Sequence, residues 1–220
     1  RTRTFLAPER EPREMRSIKT PIHGCIALWL CIASVYGKEP APLESLFNGK
    51  DLSGWSVLPA GQWKIEDGVI RGTSRASEKR HGMLVSEKSY RDFEITIEYK
   101  AIAGNSGLYF RSKYDKRASK MKGFQAEIDA SGKHPGGLYE TGGRTWVVKP
   151  DRTSKAFKPG QWNEMRVRAQ GRDIIVFLNG VKTAELKNDS GSLEGHFGLQ
   201  LHGGQRMDVS FRNIRIRELH

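Results

Sequence analysis

The chain has 220 residues, enough for one substantial domain or a leader followed by one domain, and 37 Lys and Arg against 25 Asp and Glu give a formal net charge of +12. The basic residues are spread along the chain and match no nucleic-acid-binding motif, which argues against a nucleic-acid partner. The 24 glycines fit a β protein with many turns.

In chain order, the first element is an apolar segment from Ile22 to Val35, preceded by Met15, Arg16 and Lys19 and followed by Tyr36-Gly37. A basic start, an apolar stretch and small residues at a cleavage point make a secretory signal. At about 14 residues the stretch is short of the roughly 20 that span a bilayer, so no transmembrane anchor is expected. Residues 1–37 are expected to comprise upstream residues 1–14 and a secretory signal that starts at Met15 and is cleaved after Gly37, with Ala33 or Ser34 as alternatives; residues 38–43 are a linker and residues 44–219 the domain. Cys25 and Cys31 both fall in the leader. A lipoprotein through Cys31 is the weaker reading, because bulky Trp29 and Leu30 precede it. The mature chain is expected to be exported, periplasmic or extracellular, without disulfides.

From Glu44 onward turn signals recur about every 8–12 residues, the spacing of an all-β sandwich. Trp63-Lys64-Ile65 and Val69-Ile70 flank an Asp67-Gly68 turn, and Ile174 to Leu178 ends at Asn179-Gly180, a strong hairpin signal. Phe93, Ile95, Ile97 and Tyr99 alternate with polar residues as a half-buried strand does. Leu108-Tyr109-Phe110 follows a bend at Gly104-Asn105-Ser106-Gly107. Phe124, Ala126 and Ile128 point one way and Gln125, Glu127 and Asp129 the other. Trp162 to Ala169 and Phe197 to Leu201 are further strands. In the last strand Met207, Val209 and Phe211 are out of phase with Ile214 and Ile216, which predicts a β-bulge near Arg212-Asn213. Basic stretches at 112–122 and 141–158 read as long rim loops. With no helix of ten residues or so after the leader, two antiparallel sheets packed face to face as a jelly roll are the expected closure.

Chemistry is sparse. His81, His134, His196, His202 and His220 do not pair at zinc-ligand spacing, and no phosphate loop precedes a helix. Gly104-Asn105-Ser106-Gly107 resembles a nucleophile elbow only loosely. What remains is strand-borne polar groups: Asn105, Ser106 and Arg111; Gln125, Glu127 and Asp129; Tyr139 and Glu140; Gln200 and His202. Each alone has an ordinary structural role open to it, such as a turn for Asn105 or a carboxylate partner for Arg111. Together, with aromatic Tyr139 and Trp146 and neighbouring Arg144, they suit a sugar cleft.

An ordered set of motifs then carries a resemblance. Leu46-Phe47-Asn48-Gly49-Lys50-Asp51-Leu52-Ser53-Gly54-Trp55, Gly104 to Arg111, Gly123 to Ile128, Gly137-Leu138-Tyr139-Glu140, Gly198 to Gly203 and Phe211 to Ile214 resemble, in order, the 3-keto-disaccharide hydrolase family over about 43–219. The resemblance implies a concanavalin A-like jelly-roll sandwich and substrates whose sugar carries a ketone at C3. That ketone acidifies the C2 hydrogen; a base removes it, the glycosidic oxygen leaves C1 by β-elimination, and water added to the enone completes hydrolysis. It implies Glu127 as the base, with Asp129 or Glu140 behind it, and Arg111 and His202 as enolate stabiliser or leaving-group acid. Asn105, Ser106, Gln125, Asp129, Tyr139, Arg144, Trp146 and Gln200 would bind the sugar. No cofactor is evident; calcium is compatible with such a sandwich but has no ligand loop here. Two alternatives stay open: a non-catalytic carbohydrate-binding module, and a conventional retaining glycosidase, for which Gln125 stands where such strands carry a carboxylate.

Overall fold

The structure is a computed structural model and describes residues 41–115, 120–150 and 155–220. The expected leader, with both cysteines and the start of the linker, lies outside the described residues. In chain order the strands are β1 (Glu44–Ser45), β2 (Trp55–Leu58), β3 (Gln62–Glu66), β4 (Val69–Ser74), β5 (Gly82–Tyr90), β6 (Phe93–Ala103), β7 (Asn105–Asp115) and β8 (Lys120–Asp129). They continue as β9 (Leu138–Thr141), β10 (Thr145–Val148), β11 (Asn163–Gln170), β12 (Asp173–Leu178), β13 (Val181–Leu186), β14 (Gly195–Leu201) and β15 (Met207–Glu218). Among the described residues there is no helix long and apolar enough to cross a membrane.

The strands form two antiparallel sheets. One runs β13-β12-β11-β6-β15-β4-β3, with β1 also paired to β15; the other runs β10-β9-β8-β7-β14-β5-β2. This is the expected all-β sandwich. The period-two pattern explains the packing: Phe93, Ile95, Ile97 and Tyr99 of β6 are fully buried against Phe110, Phe124, Ala126 and Ile128 of the second sheet. Phe110 stacks on Phe124 and meets Phe93 edge-on. Burial of such aromatic area supplies most of what holds two sheets together.

Both predicted hairpins form. Asp67-Gly68 and Asn179-Gly180 have positive φ at both central positions, the backbone that matches strand twist. The bulge in the last strand is at the predicted place: Asn213 has φ 50° and the β15–β6 register shifts between Arg212 and Arg215, so Met207, Val209, Phe211, Ile214 and Ile216 all reach the core.

Two expectations need correction. The bend at 104–107 is one residue, because Gly104 alone turns the chain (φ 83°) and β7 begins at Asn105. A side chain at Gly104 would run into Met207 and the Arg206 carbonyl. The basic stretch 112–122 is largely strand, since Lys113 pairs with Lys122, Tyr114 with Met121 and Asp115 with Lys120. A bulge after Phe110 resets the alternation there and hides the ladder from a simple reading of the sequence. Likewise Thr145–Val148 of the second stretch is β10.

Candidate functional site

The second sheet turns its other face outward, and a cleft of about 570 Å³ lies on it. β8 supplies Gln125, Glu127 and Asp129; β7 supplies Asn105 and Tyr109; β9 supplies Tyr139 and Thr141. Trp146 comes from β10 and Gln200 from β14, while His81 and His202 stand just beyond the ends of β5 and β14. Gly104, Lys120, Ser131, Lys133 and Gln205 complete the lining. Parity does most of the selection, since each strand's intervening residues face the core.

The floor is a closed hydrogen-bond ring. The Gln200 side-chain amide donates to the Tyr109 hydroxyl (3.1 Å), which therefore donates to Thr141 Oγ1 (3.1 Å). Thr141 donates to Gln125 Oε1 (3.4 Å), and Gln125 Nε2 donates to Gln200 Oε1 (3.2 Å). All four residues line the cleft, and the ring fixes both amide orientations. Gln125 Nε2 also reaches Glu127 Oε2 (3.2 Å) and the Ser106 carbonyl (3.2 Å).

Glu127 is 5% exposed. Burial pushes its carboxyl up to about 7; the Asn105 Nδ2 donor opposes the rise and the neighbouring Asp129 adds to it. The Asp129 Oδ1 accepts from the Ser131 backbone N–H (2.8 Å) and hydroxyl (2.7 Å). Trp146 meets Tyr139 edge-on at 5.3 Å and forms an aromatic wall.

Across the floor His81 and His202 meet edge to face, with ring centroids 4.6 Å apart. Gly203 sets both tautomers. Its N–H donates to His81 Nδ1 (3.2 Å), so His81 carries its proton on Nε2. Its carbonyl lies 2.7 Å from His202 Nδ1, so that nitrogen donates and Nε2 keeps its lone pair. Gln205 Nε2 also lies 3.3 Å from His202 Nδ1, but the shorter contact with a pure acceptor decides. Burial lowers the His81 pKa, helped by His202 and Lys120.

Eight of the residues expected from sequence meet here: Asn105, Gln125, Glu127, Asp129, Tyr139, Trp146, Gln200 and His202. Four do not. Arg111 has φ 47° at the bulge, which turns its side chain off the cleft face. It is 1% exposed and donates to the Arg91 carbonyl (2.8 Å), the Gly171 carbonyl (2.8 Å) and Asp92 Oδ1 (2.9 Å), tying two turns together. Ser106 falls on the core side and donates to the Gln200 carbonyl (2.7 Å). Glu140 shares the face of buried Leu138 rather than that of Tyr139 and Thr141. It binds Arg144 (2.5 Å), which also forks onto Asp189 (2.7 and 2.9 Å), so Glu140 and Arg144 form an ion-pair network outside the cleft. Tyr109 and Thr141 were missed although strand parity would have found them. No local signal marks His81 or Gln205, which arrive from turns.

Residues 42–217 match the model of the 3-keto-alpha-glucoside-1,2-lyase-like domain. Among solved structures, two proteins from Parabacteroides distasonis provisionally assigned as glycosyl hydrolases are similar. One is 27% identical with a TM-score of 0.59, covering 81% of this chain and 100% of that one. The other is 23% identical with a TM-score of 0.63, covering 81% and 94%. The carbohydrate-binding module CBM66 from Bacillus subtilis shares the fold at 21% identity and a TM-score of 0.56, covering 75% and 96%. None of the curated proteins matches the chain significantly. The family match takes in every strand of both sheets but the last residue of β15, together with the cleft, and the chain belongs to the 3-keto-alpha-glucoside-1,2-lyase-like domain family.

Proposed function

We propose that this protein cleaves glycosides whose sugar carries a ketone at C3, by proton abstraction at C2 and β-elimination. The observation that carries this reading is Glu127: a buried carboxyl held by two amide donors, with a proton affinity raised toward neutrality, on the floor of a cleft lined by hydrogen-bonding groups. The family description and the glycosyl hydrolase assignments of the Parabacteroides proteins support it.

In the reaction, Glu127 takes the C2 proton, the C–H electron pair moves toward the C3 carbonyl, and the C1–oxygen bond then breaks. The departing oxygen receives a proton that Glu127 in its protonated form can return, leaving a C1–C2 enone and a free alcohol. Hydration at C1 gives the free 3-keto sugar; the Nε2 lone pair of His202 suits activation of that water. The ring of Gln200, Tyr109, Thr141 and Gln125 would bind sugar hydroxyls, and Trp146 and Tyr139 offer a face to the second sugar or aglycone. An ordinary retaining glycosidase fits less well, because Gln125 is neutral and Asp129 already accepts two hydrogen bonds from Ser131. The apolar stretch 22–35 supports action after export.

The test is incubation with a panel of 3-keto-glycosides and their unoxidised parents, following the enone chromophore and free 3-keto sugar. Turnover of the keto series alone is expected. Binding without turnover of either series would sink the proposal.

A further inference from the structure

An elimination through an enolate needs a donor aimed at the oxygen on C3, where negative charge gathers. Arg111, which the sequence suggested, is locked on the far side of the sheet. Most donors in the cleft are already engaged: the Tyr109 hydroxyl on Thr141, the Gln125 and Gln200 amides in the ring, and the His202 Nδ1–H on the Gly203 carbonyl. Lys120 and Lys133 also line the cleft, as flexible ammonium groups on long stems.

His81 differs from all of these. Its Nδ1 accepts from the Gly203 N–H (3.2 Å) and lies 3.4 Å from Gln200 Nε2, and its ring rests edge to face with His202. The ring is therefore held in place, the proton is on Nε2, and that N–H has no hydrogen-bond partner among the described residues. We propose that His81 is the catalytic residue that binds the enolate: its Nε2–H donates to the C3 oxygen as the C2 proton passes to Glu127. This rests on the reading of function given above. The amide chain Glu127–Gln125–Gln200–His81 ties base and donor into one hydrogen-bonded frame on the floor of the same cleft. A neutral imidazole suits the task, since it stabilises charge by hydrogen bonding without drawing the nearby carboxylate into an ion pair. The depressed His81 pKa keeps it neutral.

The test compares the full chain with His81→Asn and His81→Gln. Asparagine places an acceptor near the Nδ1 position, preserving the Gly203 contact, but supplies no donor at the Nε2 position. Glutamine reaches that position with an amide N–H. Two rates are read on a 3-keto-glucoside: deuterium uptake at C2 from heavy water, which reports enolate formation alone, and enone release. His81→Asn is expected to lose about 10²–10³-fold in both rates, with KM and melting temperature little changed. His81→Gln should recover about tenfold or more of that loss. Two results would overturn the assignment while leaving the general function standing: wild-type exchange rates in His81→Asn, or equal losses in both variants accompanied by a lowered melting temperature. A wild-type chain inert to every 3-keto-glycoside overturns the functional reading and the role of His81 with it.

Discussion

Replacing Glu127 with glutamine should slow turnover by orders of magnitude and, in alkaline solution, make the protein more stable. In the folded chain the carboxyl is pushed from 4.5 to about 7, chiefly by burial at 5% exposure. Between those values the native state holds a proton that the unfolded state has released. The stabilisation from this group is therefore complete below 4.5 and is lost as pH rises through 7. Complete ionisation in the buried site costs about 3 kcal/mol. Glutamine is isosteric and never ionises, so it escapes that cost. Against this, Asn105 Nδ2 and Gln125 Nε2 both donate to Glu127, and the new amide nitrogen must face one of them, a loss of about 1 kcal/mol. The net gain at about pH 8 is about 2 kcal/mol, or about 4–8 °C in melting temperature for a chain of this size. At about pH 5 the gain should vanish or reverse, because the wild-type carboxyl is then still mostly protonated. Turnover should fall about 10²–10⁴-fold, equivalent to about 3–5 kcal/mol of barrier. Thermal unfolding of both proteins across pH, beside the enone assay, checks both halves. A melting difference that does not grow with pH would refute the buried-carboxyl argument; full turnover in Glu127→Gln would refute its role as base.

Other residues separate architecture from chemistry. Arg111→Met should lower stability by about 3 kcal/mol, since it removes a buried cation from Asp92 and two carbonyls, yet leave kcat of the folded fraction unchanged; thermal melts and active-site-normalised rates distinguish the two. Gly203→Ala would drive a methyl group into the Lys79 carbonyl, shifting the residue that sets both histidine tautomers. Its imidazole nitrogen shifts in NMR spectra should change, and turnover should fall about tenfold or more. Trp146→Ala should raise KM about tenfold with little change in kcat, measured on a disaccharide substrate, because it removes an aromatic wall remote from the reacting carbons.

Much of the sandwich was legible because its strands obey period two. Phe93 to Tyr99 and Phe124 to Asp129 alternate apolar residues that face the core with polar residues that face away from it, and the Asp67-Gly68 and Asn179-Gly180 turns admit few other backbones. The phase change in β15 even located its bulge. The cleft was legible where the same rule was followed through, as at Gln125 and Glu127. It failed where a positive φ reverses the rule. Arg111 has the parity of Asn105 and Tyr109, and only its left-handed backbone removes it from their face. Glu140 is a different case, since the burial of Leu138 two residues away already pointed it from the cleft. His81 and His202 are brought together by tertiary structure alone, and no spacing in the sequence relates them.

The hydrogen bonds of the floor all circulate one way, from Gln200 through Tyr109 and Thr141 to Gln125 and back. Reversing any one of them means reversing all four, so the ring behaves as a single polar unit with a handedness. This constrains how the site can evolve. A carboxylate at Gln125 would be the simplest step toward a two-acid glycosidase, but it would remove the donor to Gln200 and to the Ser106 carbonyl and set one negative charge against Glu127. The change becomes tolerable only when Gln200 or its neighbours change with it. Two chemistries available to one sandwich are thus separated by a coupled substitution, and the circulation of the ring is the barrier between them.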